Sequence, residues 1–251
     1  IYPGDKIALI GKNGCGKTTL GKILCGLKKE QSGTVLLDRR AFPARVRSKT
    51  AGYVMQNVDF QLFGCSVYDD LLLGNEALPD KENRIQTVLE KLSLSALREQ
   101  HPTTLSMGQK QRLVVAASFL QKKRLTIFDE PTSGLDYGSM QNVCALIDSI
   151  TGKTNASVII THDYEFILNT CNRVVLLEDG QITEDLTLVT KIVQPKLNDE
   201  FADRKHRLLN VCADAHECNS LKNSYFVQPL HCKEDFPVNG SMQLEHIRSV
   251  R

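Results

Sequence analysis

The sequence predicts an α/β protein built on a mainly parallel sheet, with a helical block inserted into it. Three observations lead there. Apolar runs recur at residues 6–10, 125–128, 157–161 and 174–177; they are too short for helices and too uniformly apolar for strands with one wet face, as expected where both faces are covered. Segments with helical spacing lie between several of them, which is the alternation of a parallel sheet. The long middle stretch 66–118 keeps helical spacing with no strand signal of its own.

Residues 6–10 read as a buried strand. A glycine-rich turn follows, then a helix over 18–27 with Leu20, Ile23, Leu24 and Leu27 on one face. Residues 34–37 and 52–56 read as further strands, with Ser32-Gly33 and the basic stretch from Arg45 to Lys49 as connections. In the helical block the apolar positions are Leu71, Leu72 and Leu73, then Ile85, Val88, Leu89 and Leu92, then residues 113–120. The alternation resumes with a strand at 125–128, a helix at 140–150, and strands at 157–161 and 174–177. Glu178-Asp179-Gly180-Gln181 is a turn into one more strand. The pattern fades near Val193. The predicted organisation is therefore one α/β domain over 1–193, its helical subdomain at about 66–118, and an appendage or tail over 196–251.

A chain of 251 residues with 41% hydrophobic content can bury a sizeable core. Its formal net charge of +2, with no basic stripe, argues against a nucleic-acid partner. No apolar run reaches the roughly 18–20 residues that cross a bilayer, and no secretory signal precedes the first strand, so the chain is expected to be soluble by itself. The eight cysteines are expected to be reduced thiols. The sequence opens at Ile1, almost on top of its first motif, and further residues upstream are expected.

That motif is Gly11-Lys12-Asn13-Gly14-Cys15-Gly16-Lys17-Thr18-Thr19. Strand, glycine loop and helix come in the order that a triphosphate cradle needs. The glycines let backbone N–H groups converge on phosphate oxygens, and the helix start points its positive end at the same anion. Lys17 can reach the outer phosphates, and the Thr18 hydroxyl can hold Mg²⁺. ATP and Mg²⁺ are the expected ligands. Downstream, Asp129 and Glu130 close the apolar strand, where α/β sheets present reactive groups. An acidic pair there is often only a solvated turn; with the glycine loop upstream, one carboxylate can hold Mg²⁺ and the next accept a proton from the attacking water.

Leu105-Ser106-Met107-Gly108-Gln109, followed by Lys110, Gln111 and Arg112, resembles the signature of ABC-type ATPases, usually Leu-Ser-Gly-Gly-Gln. With the glycine loop as Walker A, residues 125–130 as Walker B, Ser133-Gly134-Leu135-Asp136 as the D-loop and His162 as the switch histidine, the motifs occur in the family order over roughly residues 1–193. The chain is thereby identified as a P-loop NTPase of ABC type. Gln56 falls at the Q-loop, where the resemblance gives it a Mg²⁺ contact and a place in catalysis. The run Asn57-Val58-Asp59-Phe60-Gln61-Leu62-Phe63 is similar to that of energy-coupling-factor and cobalt-type importer ATPases, with Val58 in place of the usual proline.

The resemblance implies head-to-tail closure with a second ABC ATPase subunit or domain over two ATP molecules. Lys17, Thr18, Gln56, Asp129, Glu130 and His162 of one copy would face Ser106, Gly108 and Gln109 of the other, with Asp136 nearby. Glu130 would polarise water and His162 would contact the γ-phosphate. It also implies a transmembrane transporter subunit as partner, docked near residues 56–100 with Phe60, Leu62, Phe63, Asp69 and Asp70 close by, and a peripheral position on the cytoplasmic face of the membrane. About two further strands and an adenine-stacking aromatic are implied upstream of Ile1; Tyr2 lies too close to Gly11 to be that aromatic. The function expected is an ATP-hydrolysing motor subunit of an importer for vitamins or metal ions. The alternatives are a non-transport ABC ATPase acting on ribosomes or DNA, and a degenerate nucleotide-binding half without turnover.

Met107 stands where the signature usually has glycine, adding a side chain at the place where backbone and the partner's nucleotide would meet. Cys15, inside the phosphate loop, is either a reactive thiol or an inert small residue. Cys212, His216, Cys218, His231 and Cys232 cluster in the tail at a spacing that matches no standard zinc pattern.

Overall fold

The computed structural model describes residues 1–188, together with the backbone of two short strands at 227–229 and 242–245. In chain order the elements are β1 (Lys6–Ile10), α1 (Lys17–Leu24), β2 (Thr34–Leu37), β3 (Arg40–Ala41), α2 (Ala44–Thr50), β4 (Ala51–Val54), α3 (Val67–Leu72), α4 (Lys81–Lys91) and α5 (Met107–Leu120). Then come β5 (Leu125–Asp129), α6 (Tyr137–Ile150), β6 (Ala156–Ile160), α7 (Tyr164–Thr170), β7 (Arg173–Glu178), β8 (Gln181–Leu188), β9 (Val227–Pro229) and β10 (Met242–Glu245).

Every residue of β5 and β6 is buried, which explains their lack of polar alternation. The main sheet runs β4-β5-β6-β1-β7-β8-β9; β4 to β7 are parallel, and β8 and β9 add antiparallel strands at one edge. Alternate residues serve opposite faces. Ala8, Ile10, Phe128 and Ile159 join the core formed with α3 to α7, whereas Ile7, Leu9, Ile127 and Ile160 join a second core under α1 and β2. β10, β2 and β3 form a separate antiparallel sheet beside the second core.

Several boundaries depart from the sequence expectation. α1 ends at Leu24, three residues early, because Gly26 turns left-handed (φ +72°) while Leu27 N donates back to Lys22 O, so Leu27 is exposed. The basic stretch expected to be a connection is helix α2. Arg47 points inward from it, fully buried, and donates to Ile23 O, to Phe42 O and to the Glu30 carboxylate, tying α2 to the end of α1 and to the β2–β3 hairpin. α6 starts at Tyr137 because the Asp136 side chain accepts from Ser139 N as a helix cap. α7 was not foreseen and is capped in the same way by Asp163, which accepts from Phe166 N.

The block between β4 and β5 holds α3, α4 and the start of α5, and α5 carries on from it into the main core through Leu113, Val115, Ala116 and Leu120. Of the tail, β9 pairs with β8 and β10 with β2. The cysteine and histidine cluster, and the expected boundary near residue 193, lie outside the described residues. Among the described residues no helix is long and apolar enough to cross a membrane, and the cysteines, Cys15, Cys25, Cys65, Cys144 and Cys171, are free thiols.

Candidate functional site

The parallel strands β1 and β5 aim their C-terminal ends at one cleft of about 450 Å³. From β1 the chain enters the glycine loop, where Gly11, Gly14 and Gly16 all have positive φ. Gly11 is required for a second reason: a Cβ there would lie 2.1 Å from Leu177 O, because the loop crosses close over β7. Lys17 is buried, and its ammonium donates to Gly11 O (2.6 Å) and Lys12 O (3.0 Å), which holds the loop closed beneath the cleft. At the second position of α1, Thr18 Oγ1 donates to Asp129 Oδ2 at 3.0 Å. The same oxygen accepts from the Tyr53 hydroxyl at 2.6 Å. Burial, and then the adjoining Asp129 carboxylate, push the Tyr53 phenol far up, so it stays a donor.

Glu130 follows Asp129 in a left-handed conformation (φ +51°), unusual for a side chain of its size. Its N–H donates to Ile160 O at 2.8 Å. Its carbonyl accepts from Ser133 N (3.3 Å) and from Nε2 of Gln111, a buried residue of α5 (3.1 Å). This twist turns the carboxylate toward His162, whose Nε2 is 3.5 Å from Glu130 Oε1. Burial raises the Glu130 carboxyl above the usual range, Asp129 adds to the rise, and the Thr161 hydroxyl and Lys17 oppose it. A carboxylate so raised is a better proton acceptor.

Of the residues expected from sequence, Asn13, Gly14, Gly16, Lys17, Thr18, Thr19, Gln56, Asp129, Glu130 and His162 line the cleft, joined by Ser133 and Ile160. Gly11, Lys12 and Cys15 shape the loop without lining it. Ser106, Gly108, Gln109 and Asp136 lie outside the cleft of their own chain. Ser106 Oγ accepts from Gln109 N while Gln109 Oε1 accepts from Ser106 N, a reciprocal cap on α5. Asp136 spends both carboxylate oxygens on Ser139. Tyr53, Gln111 and Thr161 were missed as site residues. Their one sequence signal is a polar group in or beside an apolar or helical run, which does not say where it points.

The donor set fits the expected ligands. A curled loop of N–H groups with a lysine suits phosphate oxygens, and the Thr18 hydroxyl, the Asp129 carboxylate and the Gln56 amide are hard oxygen donors of the kind that Mg²⁺ takes. A second hollow, between Phe42, Leu125 and the residues from Ile1 to Pro3, holds only about 30 Å³ and has mostly apolar walls, so it competes with none of this.

Residues 1–133 match the family model described as ABC transporter. The chain belongs to the ABC transporter family. Its ATP-binding domain is of the kind that hydrolyses ATP. Over 188 residues it is 96% identical to a putative ABC transporter ATP-binding protein of Treponema denticola, covering 75% of this chain and 38% of that protein. A second such protein of the same organism is 46% identical over 183 residues, covering 73% of this chain and 37% of the relative. The putative HMP/thiamine import ATP-binding protein YkoD of Bacillus subtilis is 35% identical over 188 residues, covering 74% of this chain and 34% of its own. The chain thus spans well under half the length of these relatives. Among solved structures, cbiO1 of Clostridium perfringens, part of the ABC transporter complex cbiONQ, superimposes with a TM-score of 0.64 at 28% identity, covering 74% of this chain and 78% of cbiO1.

Proposed function

We propose that this chain is an ATP-hydrolysing motor domain of a membrane importer of the energy-coupling-factor type, serving a vitamin or a transition-metal ion. The placement of Glu130 carries the hydrolytic reading: a raised carboxylate, turned by a left-handed backbone toward His162, opposite Lys17, Thr18 and Asp129 in one cleft. The importer reading is supported by the likeness to cbiO1 and YkoD and by the run Gln56 to Phe63.

In this reading the loop N–H groups and Lys17 bind and orient the triphosphate. Glu130 accepts a proton from water as its oxygen bonds to the γ-phosphorus and the bond to ADP breaks. His162 holds the γ-phosphate in line, and Gln56 links the site to the helical block. Mg²⁺, when bound by Thr18, Asp129 and Gln56, neutralises charge on the phosphate oxygens. A second ABC domain would supply its Ser106 and Gly108 across the nucleotide. A transmembrane partner would dock beside Phe60 and Phe63, which are 67% and 76% exposed, placing the chain peripherally on the cytoplasmic face of the membrane. Asp70 drops out of that surface: it is buried and accepts from Phe63 N and Gly64 N, bracing the loop from within.

The test is Mg-ATP hydrolysis by the complete protein that contains this chain, with Glu130→Gln as control, alone and with candidate membrane subunits. Turnover lowered about 10²–10⁴-fold in the control supports Glu130 as base, and stimulation by a membrane subunit supports transport. An unchanged rate removes the assignment.

A further inference from the structure

We propose that Tyr53 is a positioning residue for Mg²⁺, its hydroxyl fixing the carboxylate plane of Asp129 so that the ion meets a preset ligand. The proposal rests on the reading of the cleft as a Mg-ATP site. Asp129 ends β5 and is buried, so bulk water does not orient it. Its Oδ2 accepts from two hydroxyls at once, Tyr53 on β4 at 2.6 Å and Thr18 on α1 at 3.0 Å. Two donors fill the lone-pair directions of one carboxylate oxygen, which leaves Oδ1 for the ion or its water. Thr18, having given its single hydrogen to Asp129, keeps its lone pairs for a cation. Thr18 and Asp129 are thus locked to one another, with Tyr53 as the third corner.

The tyrosine is itself held. In the parallel register Tyr53 pairs with Ile127, two residues before Asp129, so only a long side chain reaches the carboxylate. Its ring lies over Gly21 of α1, where a Cβ would come within 3.2 Å of Cε2; the glycine makes room for the ring, and the ring sets the hydroxyl. Partners that orient a metal ligand typically matter about 10- to 100-fold in metal affinity, and the lower end fits a single uncharged donor.

The experiment is Tyr53→Phe in the complete protein, which keeps the ring and removes one oxygen. A fluorescent ATP analogue is titrated in EDTA and then across a Mg²⁺ series, with thermal unfolding measured alongside. The expected result is unchanged affinity in EDTA, a melting temperature lowered by no more than a few degrees for the lost hydrogen bond, and a Mg²⁺ concentration for half-maximal effect raised about tenfold. Turnover at saturating Mg²⁺ recovers to near the parent value. A Mg²⁺ dependence equal to the parent's overturns the role of Tyr53 and leaves the site reading intact. So does an equal loss of affinity in EDTA, which marks a packing role. If the parent protein itself shows no Mg²⁺-dependent nucleotide binding, the site reading falls and the proposal with it.

Discussion

Gln111→Met tests whether the left-handed twist at Glu130 is held from α5. Methionine has nearly the length and volume of glutamine but no N–H, so the variant removes the 3.1 Å bond to the Glu130 carbonyl with little change in packing. A left-handed backbone at a residue with a side chain costs about 1–2 kcal/mol. Against it stand the bonds from Glu130 N to Ile160 O, from Ser133 N to Glu130 O, and from Gln111. Each contributes about 1 kcal/mol net. Losing one removes roughly a third of the hold and leaves a part-buried carbonyl with the longer of its two donors, a total of about 1–2 kcal/mol. If all of that appears in the transition state, kcat falls about 5- to 30-fold, since about 1.4 kcal/mol is tenfold. Steady-state ATP hydrolysis should show this loss in kcat with KM unchanged, because the phosphate loop is untouched, and the melting temperature should fall by a few degrees. A kcat within twofold of the parent at a lowered melting temperature would refute the reasoning and leave Gln111 as packing only.

Arg47→Ala strips two buried carbonyls and Glu30 of their donor; about 3–5 kcal/mol of stability should be lost in urea unfolding, with Arg47→Lys intermediate. The Glu30 carboxyl is held below the ordinary range, chiefly by its hydrogen bond to Arg47, so this stabilisation is present above the unfolded carboxylate pKa and is lost as pH falls through the lowered one. Since burial raises the Glu130 carboxyl, turnover should drop as pH falls through a value above the ordinary glutamate figure of about 4.3, as a pH series on kcat will show. An acid limb at the ordinary figure counts against Glu130 as base. Maleimide at neutral pH should label the exposed Cys65 and the half-buried Cys15 before Cys25, whose thiol burial pushes up to about 12; Mg-ATP, by ordering the loop that encloses Cys15 and not by covering it, should slow labelling of Cys15 and leave Cys65 unchanged.

What could be read in the sequence follows from what each signal depends on. The central strands declare themselves because burial on both faces leaves no polar residue inside β6 but Ser157. The glycine loop, Asp129, Glu130 and His162, which meet at one cleft, could be picked out because the chemistry proposed for them needs those residue types at the ends of such strands. α2 was hidden because lysine and arginine read as a solvated connection, and only the tertiary fold offers Arg47 two carbonyls and a carboxylate. The supports of the site were hidden for a related reason. Tyr53 reaches Asp129 across 76 residues of sequence, and Gln111 reaches Glu130 across 19, through packing that periodicity does not encode. β2 read as an ordinary strand of the chain and β3 was not foreseen, yet the two form a sheet with β10 apart from the main one, and Arg47 ties α2 to it through Phe42 O.

The reciprocal cap of Ser106 and Gln109 bears on how two such domains would meet. A helix end left to fray would have to be ordered on association, at about 1–2 kcal/mol per residue. Here the first turn of α5 is closed by its own side chains and backed by Leu135, which lies 3.1 Å from where a Cβ on Gly108 would stand. The backbone of the signature therefore approaches any facing surface with its shape already set, and Met107, 52% exposed at its tip, is carried there as an unbranched, adaptable side chain on a fixed base. Fit at that point then rests on rotation of one thioether side chain and not on reordering of the helix.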